Sequence, residues 1–391
     1  MLKMLSAATD EIDDVEAAIA ELLGQLDLEH DLLKNSIGIV SCHSEFIDSG
    51  VVRALCSALP FSTVGCTTLA STTRGSYGFE ILSVAVLTSD DVAFSAVLSQ
   101  PITSGNVEGR LTDAYGRACS ALGGKPTFAL AYLPLMTEIG ASPVYRCLAR
   151  LCGNTPLFGT FSCENTMRFL KNRVLWNGEC FKDASALVLM SGNVNPRFFT
   201  AAIPKKMVQK QRAVITESDG CVIKKINDLT AVDYLVAKNL IDYSDFEAQG
   251  IVAPFLTDYH DGTGLVARTL YSFTSDGGAV CGSEIPAGAT IAIASLDYSG
   301  VIETAKEVTL DLLRVEEKSG ILMYSSIARN LVLGINPDDE MTSVLDLLGD
   351  DTPYAFCYSG GAICPVKTGD GGYLNHYHDF TFTACAFLRD N

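Results

Sequence analysis

The sequence predicts an α/β fold of layered mixed β-sheets flanked by helices, built from repeated strand-helix-strand-strand units. Two observations carry the prediction. One order of segments (apolar run, helix-period stretch, apolar run, paired runs) occurs twice by residue 203 and, more loosely, once again near the end. The apolar runs are also apolar on both faces, and sheets made of such strands are covered by helices.

A helix is expected first, over residues 10–26. Ile12, Val15, Ile19, Leu22, Leu23 and Leu26 fall on one face, and Asp10, Glu11, Asp13 and Asp14 favour its N-terminal dipole. Unit one follows, at about residues 27–100. It has an apolar strand at 37–40, then Ser41-Cys42-His43-Ser44, a helix-period stretch at 51–59, and a strand through Val64 ending in Gly65-Cys66-Thr67-Thr68. A strand pair at 79–88 and 92–98 closes it; the split at Ser89-Asp90-Asp91 suits a reversal between neighbouring strands.

Unit two, at about residues 125–203, repeats the order with a strand at 127–132 and a helix at 144–151. Its Phe158-Gly159-Thr160-Phe161-Ser162-Cys163 matches the first motif glycine on glycine, and a pair at 184–190 and 197–203 closes it across 191–196. The looser third copy has a strand at 321–325, a helix at 340–348, a strand at 354–358 leading into Ser359-Gly360-Gly361, and a strand at 380–388. Between units two and three lies a helix-containing bridge, with a strand at 288–296 and a helix at 302–313.

Bulk properties narrow the function classes. A chain of 391 residues exceeds one simple core, so two or three domains or repeats are expected. Hydrophobic content of 48% and mean hydropathy of +0.24 give material for a well-packed interior. The longest apolar runs fall short of the ~18 residues of a membrane span. No apolar segment follows the early lysine, so no signal peptide is expected. A net charge of −18 repels phosphate backbones and argues against nucleic acid. The one basic run, residues 204–212, reads as a solvated strand or loop. Thirteen cysteines, an odd number scattered without CxxC pairs, point to free thiols in a reducing cytoplasm.

Several residues could carry chemistry. Cys66 could be a nucleophile with His43, His376 or His378 as base, although no local signature fixes the base. Small polar residues at strand ends also leave room for a ligand, and Thr67, Thr68, Thr160 and Ser162 could hold its carboxylate. In Asn375-His376-Tyr377-His378-Asp379, strand alternation puts both histidines on one face. That suits two metal ligands, with Cys364, Asp370 or His43 as a distant third, or ligand contact by His378 and Asp379. Arg268, inside the apolar run 265–270, either snorkels or pairs an acid, and a bound carboxylate would suit its fork. The Gly369-Asp370-Gly371-Gly372 run is a turn, because neither a helix nor a lysine-serine pair follows it. Residues 258–262 read as a loop. No metal and no cofactor are expected.

Residues 17–100, with VGCTT and SVAVL, resemble the N-terminal half of a FIST domain. The resemblance continues through Pro156-Leu157-Phe158-Gly159, Asp183-Ala184 and Val214-Ile215-Thr216, and residues 222–234 are similar to the family's link into its C-terminal half. That second half resembles the family at Asp276-Gly277, Ile285-Pro286-Ala287-Gly288 and residues 375–382. The resemblance divides the chain at about 1–215 and 216–391. It implies a sensory module that binds a small ligand such as an amino acid and passes the signal on. The chain also departs from the family. Gly360-Gly361 stands where the family tends to carry glycine-glutamate, His378-Asp379 where it tends to carry histidine-asparagine, and Ser325 to Arg329 where it tends to pair cysteine with arginine. No kinase or cyclase output precedes Asn391, so a separate signalling protein is the expected partner.

Three functions remain open. The first is a non-enzymatic sensor with its pocket between the halves. Cys66, Thr67 and Thr68 would line one wall, and Ser359, Gly360, His378 and Asp379 the other. The second is a thiol-dependent hydrolase or transferase using Cys66 and a histidine. The third is a scaffold that has lost ligand binding with the missing glutamate at Gly361.

Overall fold

The computed structural model describes residues 2–73, 76–164, 169–242, 253–295, 297–349, 352–369 and 371–389. The first stretch folds as β1 (Leu2–Thr9), α1 (Val15–Leu26), α2 (Leu28–Asp31), β2 (Asn35–Cys42), α3 (Glu45–Asp48), α4 (Val51–Ala58), β3 (Thr63–Thr67), β4 (Ser71–Thr73), β5 (Ser76–Gly78), β6 (Leu82–Ser89) and β7 (Ala93–Leu98). The second gives α5 (Val107–Leu122), β8 (Phe128–Leu133), α6 (Ala141–Cys152), β9 (Leu157–Phe161), β10 (Val174–Trp176), β11 (Glu179–Phe181), β12 (Ala186–Ser191) and β13 (Pro196–Ala201). Next come β14 (Val208–Asp219), β15 (Val222–Ile226), β16 (Leu229–Thr230), α7 (Ala231–Ala237), β17 (Ala253–Asp258), β18 (Leu265–Phe273), β19 (Ala279–Cys281) and β20 (Thr290–Ala294). The last are α8 (Tyr298–Leu313), β21 (Lys318–Ser326), α9 (Ile327–Leu333), α10 (Asp339–Leu348), β22 (Tyr354–Ser359), β23 (Ala362–Lys367), β24 (Tyr373–His378) and β25 (Phe382–Leu388).

Three six-stranded sheets share one plan. Each is built on a nucleus from one unit, in which two parallel strands carry an antiparallel third. The nuclei are β2, β3 and β6; β8, β9 and β12; and β21, β22 and β25. Each nucleus receives a single strand beside its antiparallel member: β1 beside β6, β7 beside β12, and β13 beside β25. Each also receives a hairpin beside its second parallel strand. Those are β10–β11 beside β3, β23–β24 beside β9, and β4–β5 beside β22. The splits at 89–91 and 191–196 are therefore not reversals between paired strands, as their turn chemistry had indicated. β6 is already bonded by β1 and β2, and β12 by β7 and β8, so the next strand must leave for another sheet.

The inner faces of the three sheets close on one apolar core. Ile39, Val64 and Cys66 come from the first wall, Phe128, Tyr132 and Phe158 from the second, and Leu322, Tyr324, Cys357 and Phe387 from the third. The outer faces are covered by α1 and α4, by α5 and α6, and by α8 and α10, which explains strands apolar on both sides. The recurring glycines serve this wall. A Cβ on Gly65 would stand 1.8 Å from the Val40 carbonyl oxygen, and one on Gly159 would stand 2.4 Å from that of Ala131. In both, the second parallel strand crosses the first too closely for any side chain.

Two elements differ from expectation. The first helix starts at Val15, capped by the Asp14 carboxylate on the Ala17 N–H, and the residues before it form β1 against β6. The bridge holds far more than one strand and one helix. Strands β14, β20, β17, β18, β19 and β15 follow one another in a single sheet, and a further β14–β15 pairing closes the ring. Ile215, Ile223, Phe255, Leu270 and Ile291 fill this barrel, and α7 packs into the same cluster. The expected strand at 288–296 is observed as β20; Leu296 lies outside the described residues, as does Asp370 of the glycine-rich turn. No described helix is long and apolar enough to cross a membrane.

Candidate functional site

The three sheets around the central core form a prism, the barrel meets it along β18 and β24, and the charged residues singled out on and just after those strands come together there. Arg268 is wholly buried. Its Nε donates to Tyr259 Oη at 2.6 Å, and its Nη1 donates to the carbonyls of Ala267 at 2.8 Å and Tyr377 at 3.0 Å. The guanidinium lies 5.1 Å from the ring centre of Tyr259 and 5.8 Å from that of Tyr377.

Asp379 follows β24. Its Oδ1 accepts from the Thr269 backbone N–H at 2.7 Å and from Thr269 Oγ1 at 3.1 Å. Burial pushes this carboxyl up to about 6, against the pull of the Arg268 charge. Arg268 Nη2 and Asp379 Oδ2 have no hydrogen-bond partner among the described residues. His378 donates from Nε2 to the Cys364 carbonyl at 3.1 Å. Burial, helped by His376 and Arg268, holds its imidazole down to about 3, so it is neutral.

His376 shares its strand face with His378, with ring centres 6.4 Å apart, as alternation requires. Its Nε2 pairs with Asp261 Oδ2 at 2.8 Å, and its ring leans on Tyr259 at 5.7 Å. With His378 spent on a carbonyl and His376 on a carboxylate, no cluster of three metal-ligating groups forms among the described residues. Asp261 also lines a surface cavity of about 770 Å³, together with Asn154, Gly262, Thr368 and Tyr373. The Asp261–His376 pair therefore links the edge of this cavity, through Tyr259, to Arg268.

The strand-end residues gather elsewhere, at the carboxyl ends of the parallel pairs, and most of their hydroxyls are taken up by neighbouring carbonyl, amide and backbone N–H groups. Thr160 Oγ1 and Ser359 Oγ both donate to the Gly361 carbonyl, at 3.2 and 3.3 Å. Thr67 Oγ1 accepts from the Arg173 N–H at 2.8 Å, and Ser162 Oγ accepts from Asn172 Nδ2 at 3.1 Å. Thr68 is buried with its hydroxyl unpartnered among the described residues. Cys66 points into the central core. Burial pushes its thiol well above the ordinary range, and its electrostatic neighbours are the thiols Cys357, Cys163 and Cys42 rather than a cation.

Tyr377 links the two regions. Its hydroxyl donates to the Gly360 carbonyl at 3.3 Å, while its own carbonyl receives Arg268. A Cβ on Gly361 would lie 2.3 Å from that hydroxyl, so Tyr377 fills the space that a side chain at 361 would need. Sequence reasoning singled out Arg268, His378 and Asp379 but passed over Tyr259, Thr269, Asp261 and Tyr377. Tyr259 and Asp261 sat in a segment read as a plain loop, and nothing local shows that it folds back onto β24.

A buried arginine and carboxylate at the junction of a strand-exchanged α/β prism and an inserted barrel define the class: a two-part α/β protein with a charged cluster at the seam. Comparison with family models matches residues 36–229 to the FIST N domain and residues 233–365 to the FIST C domain. The chain belongs to the FIST family, whose domains are sensory and signal-transduction domains. No curated protein matches the sequence. Among solved structures it is similar to a cyanuric acid hydrolase from A. caulinodans, at 9% identity and a TM-score of 0.39 over 100% of this chain and 99% of that one. A second cyanuric acid hydrolase structure is similar at 8% identity and a TM-score of 0.33 over 99% of both.

Proposed function

We propose that this protein is a non-enzymatic sensory module that binds an amino acid or small carboxylate at the Arg268–Asp379 cluster and signals to a separate cytoplasmic protein. One observation carries the reading: two opposite charges are buried in one cluster, and each keeps a hydrogen-bonding atom, Arg268 Nη2 and Asp379 Oδ2, with no partner among the described residues. Leaving such atoms unpaired in the interior is costly. A ligand carboxylate would suit Arg268 Nη2, and a ligand ammonium group would suit Asp379 Oδ2. His378, neutral and fixed by the Cys364 carbonyl, would form an uncharged side of the site. Thr160, Ser359 and Gly360 would sense the ligand at one remove, through Tyr377. The thiol-enzyme reading has less support, because an activated nucleophile needs a lowered pKa and Cys66 has the reverse.

A thermal-shift screen against free amino acids and small carboxylates tests the reading. A ligand at a hundred times its dissociation constant should add roughly 2.7 kcal/mol of stability. The Asp379→Asn variant, which keeps the shape of the site, should lose the response to an amino acid. A panel that shifts nothing, or an unchanged response in the variant, defeats the proposal.

A further inference from the structure

The barrel is covalently tied to the prism at one place. Its described residues lie between 208 and 294, and the two chain crossings that bound it run side by side. Val208 pairs with Ala294, and the Ser295 N–H donates to the Met207 carbonyl at 3.1 Å. The contact around these crossings is apolar: Leu256, Ala267 and Ala292 of the barrel pack with Val301, Leu333 and Phe380 of the prism. Beyond it, the barrel is held by polar contacts. Thr269 bonds to Asp379 and Arg268 to the Tyr377 carbonyl, as above, while Asp261 holds His376. At the rim, Ser283 Oγ meets Ser142 Oγ at 3.0 Å, the Glu284 N–H donates to Ser142 Oγ at 2.9 Å, and Arg146 pairs with Glu284.

We infer that the barrel, formed by the described residues between 208 and 294, is a hinged lid on the prism: it turns about the paired crossings and opens by parting the polar contacts to Asp379, Tyr377, His376, Ser142 and Arg146. The moving body is the barrel alone. β21, β22 and β25 stay behind, because they form the third wall of the prism and exchange strands with the first two units. Apolar side chains slide past one another without leaving an unpaired group, so the apolar end suits a pivot. Hydrogen bonds and ion pairs can be traded for water, so the polar end suits a latch. The inference takes the Arg268–Asp379 cluster as the site the lid covers, but the motion is measured without any ligand. A failure here is therefore separate from a failure of the ligand screen.

The reporter is the Thr269 amide, whose hydrogen bond crosses the seam to Asp379. Amide hydrogen exchange would be followed at residue resolution on the full chain, comparing Thr269 with the barrel ladder of β17 and β20. Opening of the lid exchanges Thr269 while the ladder stays protected, at about tenfold or more its rate. Ser142→Cys with Ser283→Cys should form a disulfide across the rim and slow Thr269 to the ladder's rate, with reduction restoring it. Arg146→Glu, which repels Glu284, should speed Thr269 and leave the ladder unchanged, and it decides the matter if the disulfide does not form. Thr269 exchanging together with the ladder in the wild type, or an Arg146→Glu variant with unaltered Thr269 exchange, overturns the lid.

Discussion

Asp379 and His378 are neighbours whose titrations oppose each other. The Asp379 carboxyl sits at about 6 in the folded protein against 3.8 when free. Its contribution to stability is therefore complete below pH 3.8 and is lost as pH rises through 6. His378 sits at about 3 against 6.5, so its contribution is complete above pH 6.5 and is lost as pH falls. Between roughly pH 4 and 6 the two slopes, each about 1.4 kcal/mol per pH unit, cancel. Asp379→Asn removes one side of the balance. Its melting temperature should drop relative to the wild type as the buffer moves from pH 6.5 to 4, and a constant difference would contradict the raised carboxyl. At this scale the sequence pointed to some members of this buried cluster. Arg268 was legible because a charge inside an apolar run demands a partner, and His378-Asp379 because they close a strand. Asp261 was not, since its partner His376 lies 115 positions away and only tertiary folding joins them.

The same glycine residue type plays opposite roles in a strand and in a helix. Gly65 and Gly159 sit where the second parallel strand presses against a backbone carbonyl of the first, and no rotamer can relieve a Cβ placed there. Gly65→Ala should cost about 3 kcal/mol or more in chemical denaturation, and Gly159→Ala nearly as much. Gly116, within α5, has nothing within 4 Å of the Cβ position, so Gly116→Ala should stabilise by about 0.5–1 kcal/mol. Equal effects at the three positions would remove the packing explanation. These glycines recur at matching places in the chain, which is why two units were legible in the sequence. The barrel was not legible there. Its longest strand, β14, is largely exposed and pairs with β20 in an irregular register, and β16 and β19 are two and three residues long, too short for a period to register. Two of the three exchanged hairpins fail to register for the same reason, with strands of three residues at β4, β5, β10 and β11.

Across the whole molecule, the three walls are joined by packing and, among the described residues, by a buried polar contact at the centre. Tyr132 of the second wall and Tyr324 of the third share a buried hydroxyl-hydroxyl hydrogen bond of 2.9 Å, and burial pushes both phenols well above their ordinary range. Tyr132→Phe or Tyr324→Phe strands the other hydroxyl, at about 1–3 kcal/mol each. The double variant leaves nothing unpaired and should recover part of that loss in a double-mutant cycle; strictly additive losses would show that the bond does not couple the walls. The family and the α/β class were legible at this scale because repeats and motif order span the chain. The cyclic exchange was not, since no sequence signal says which sheet a strand joins once its own unit's edge is full.

That exchange bears on how the protein is made. The hairpin β4–β5 emerges early from the ribosome, yet its place is beside β22, and Thr73 on β4 bonds to Tyr354, 281 positions later. At 5–20 residues per second, the wait is roughly 15–60 s, during which a strand edge that belongs inside a sheet has no partner. Such long-range pairing makes for slow folding once synthesis ends. A nascent chain of this protein is therefore a natural client for chaperones, and its yield should respond to their supply more steeply than its final stability would indicate.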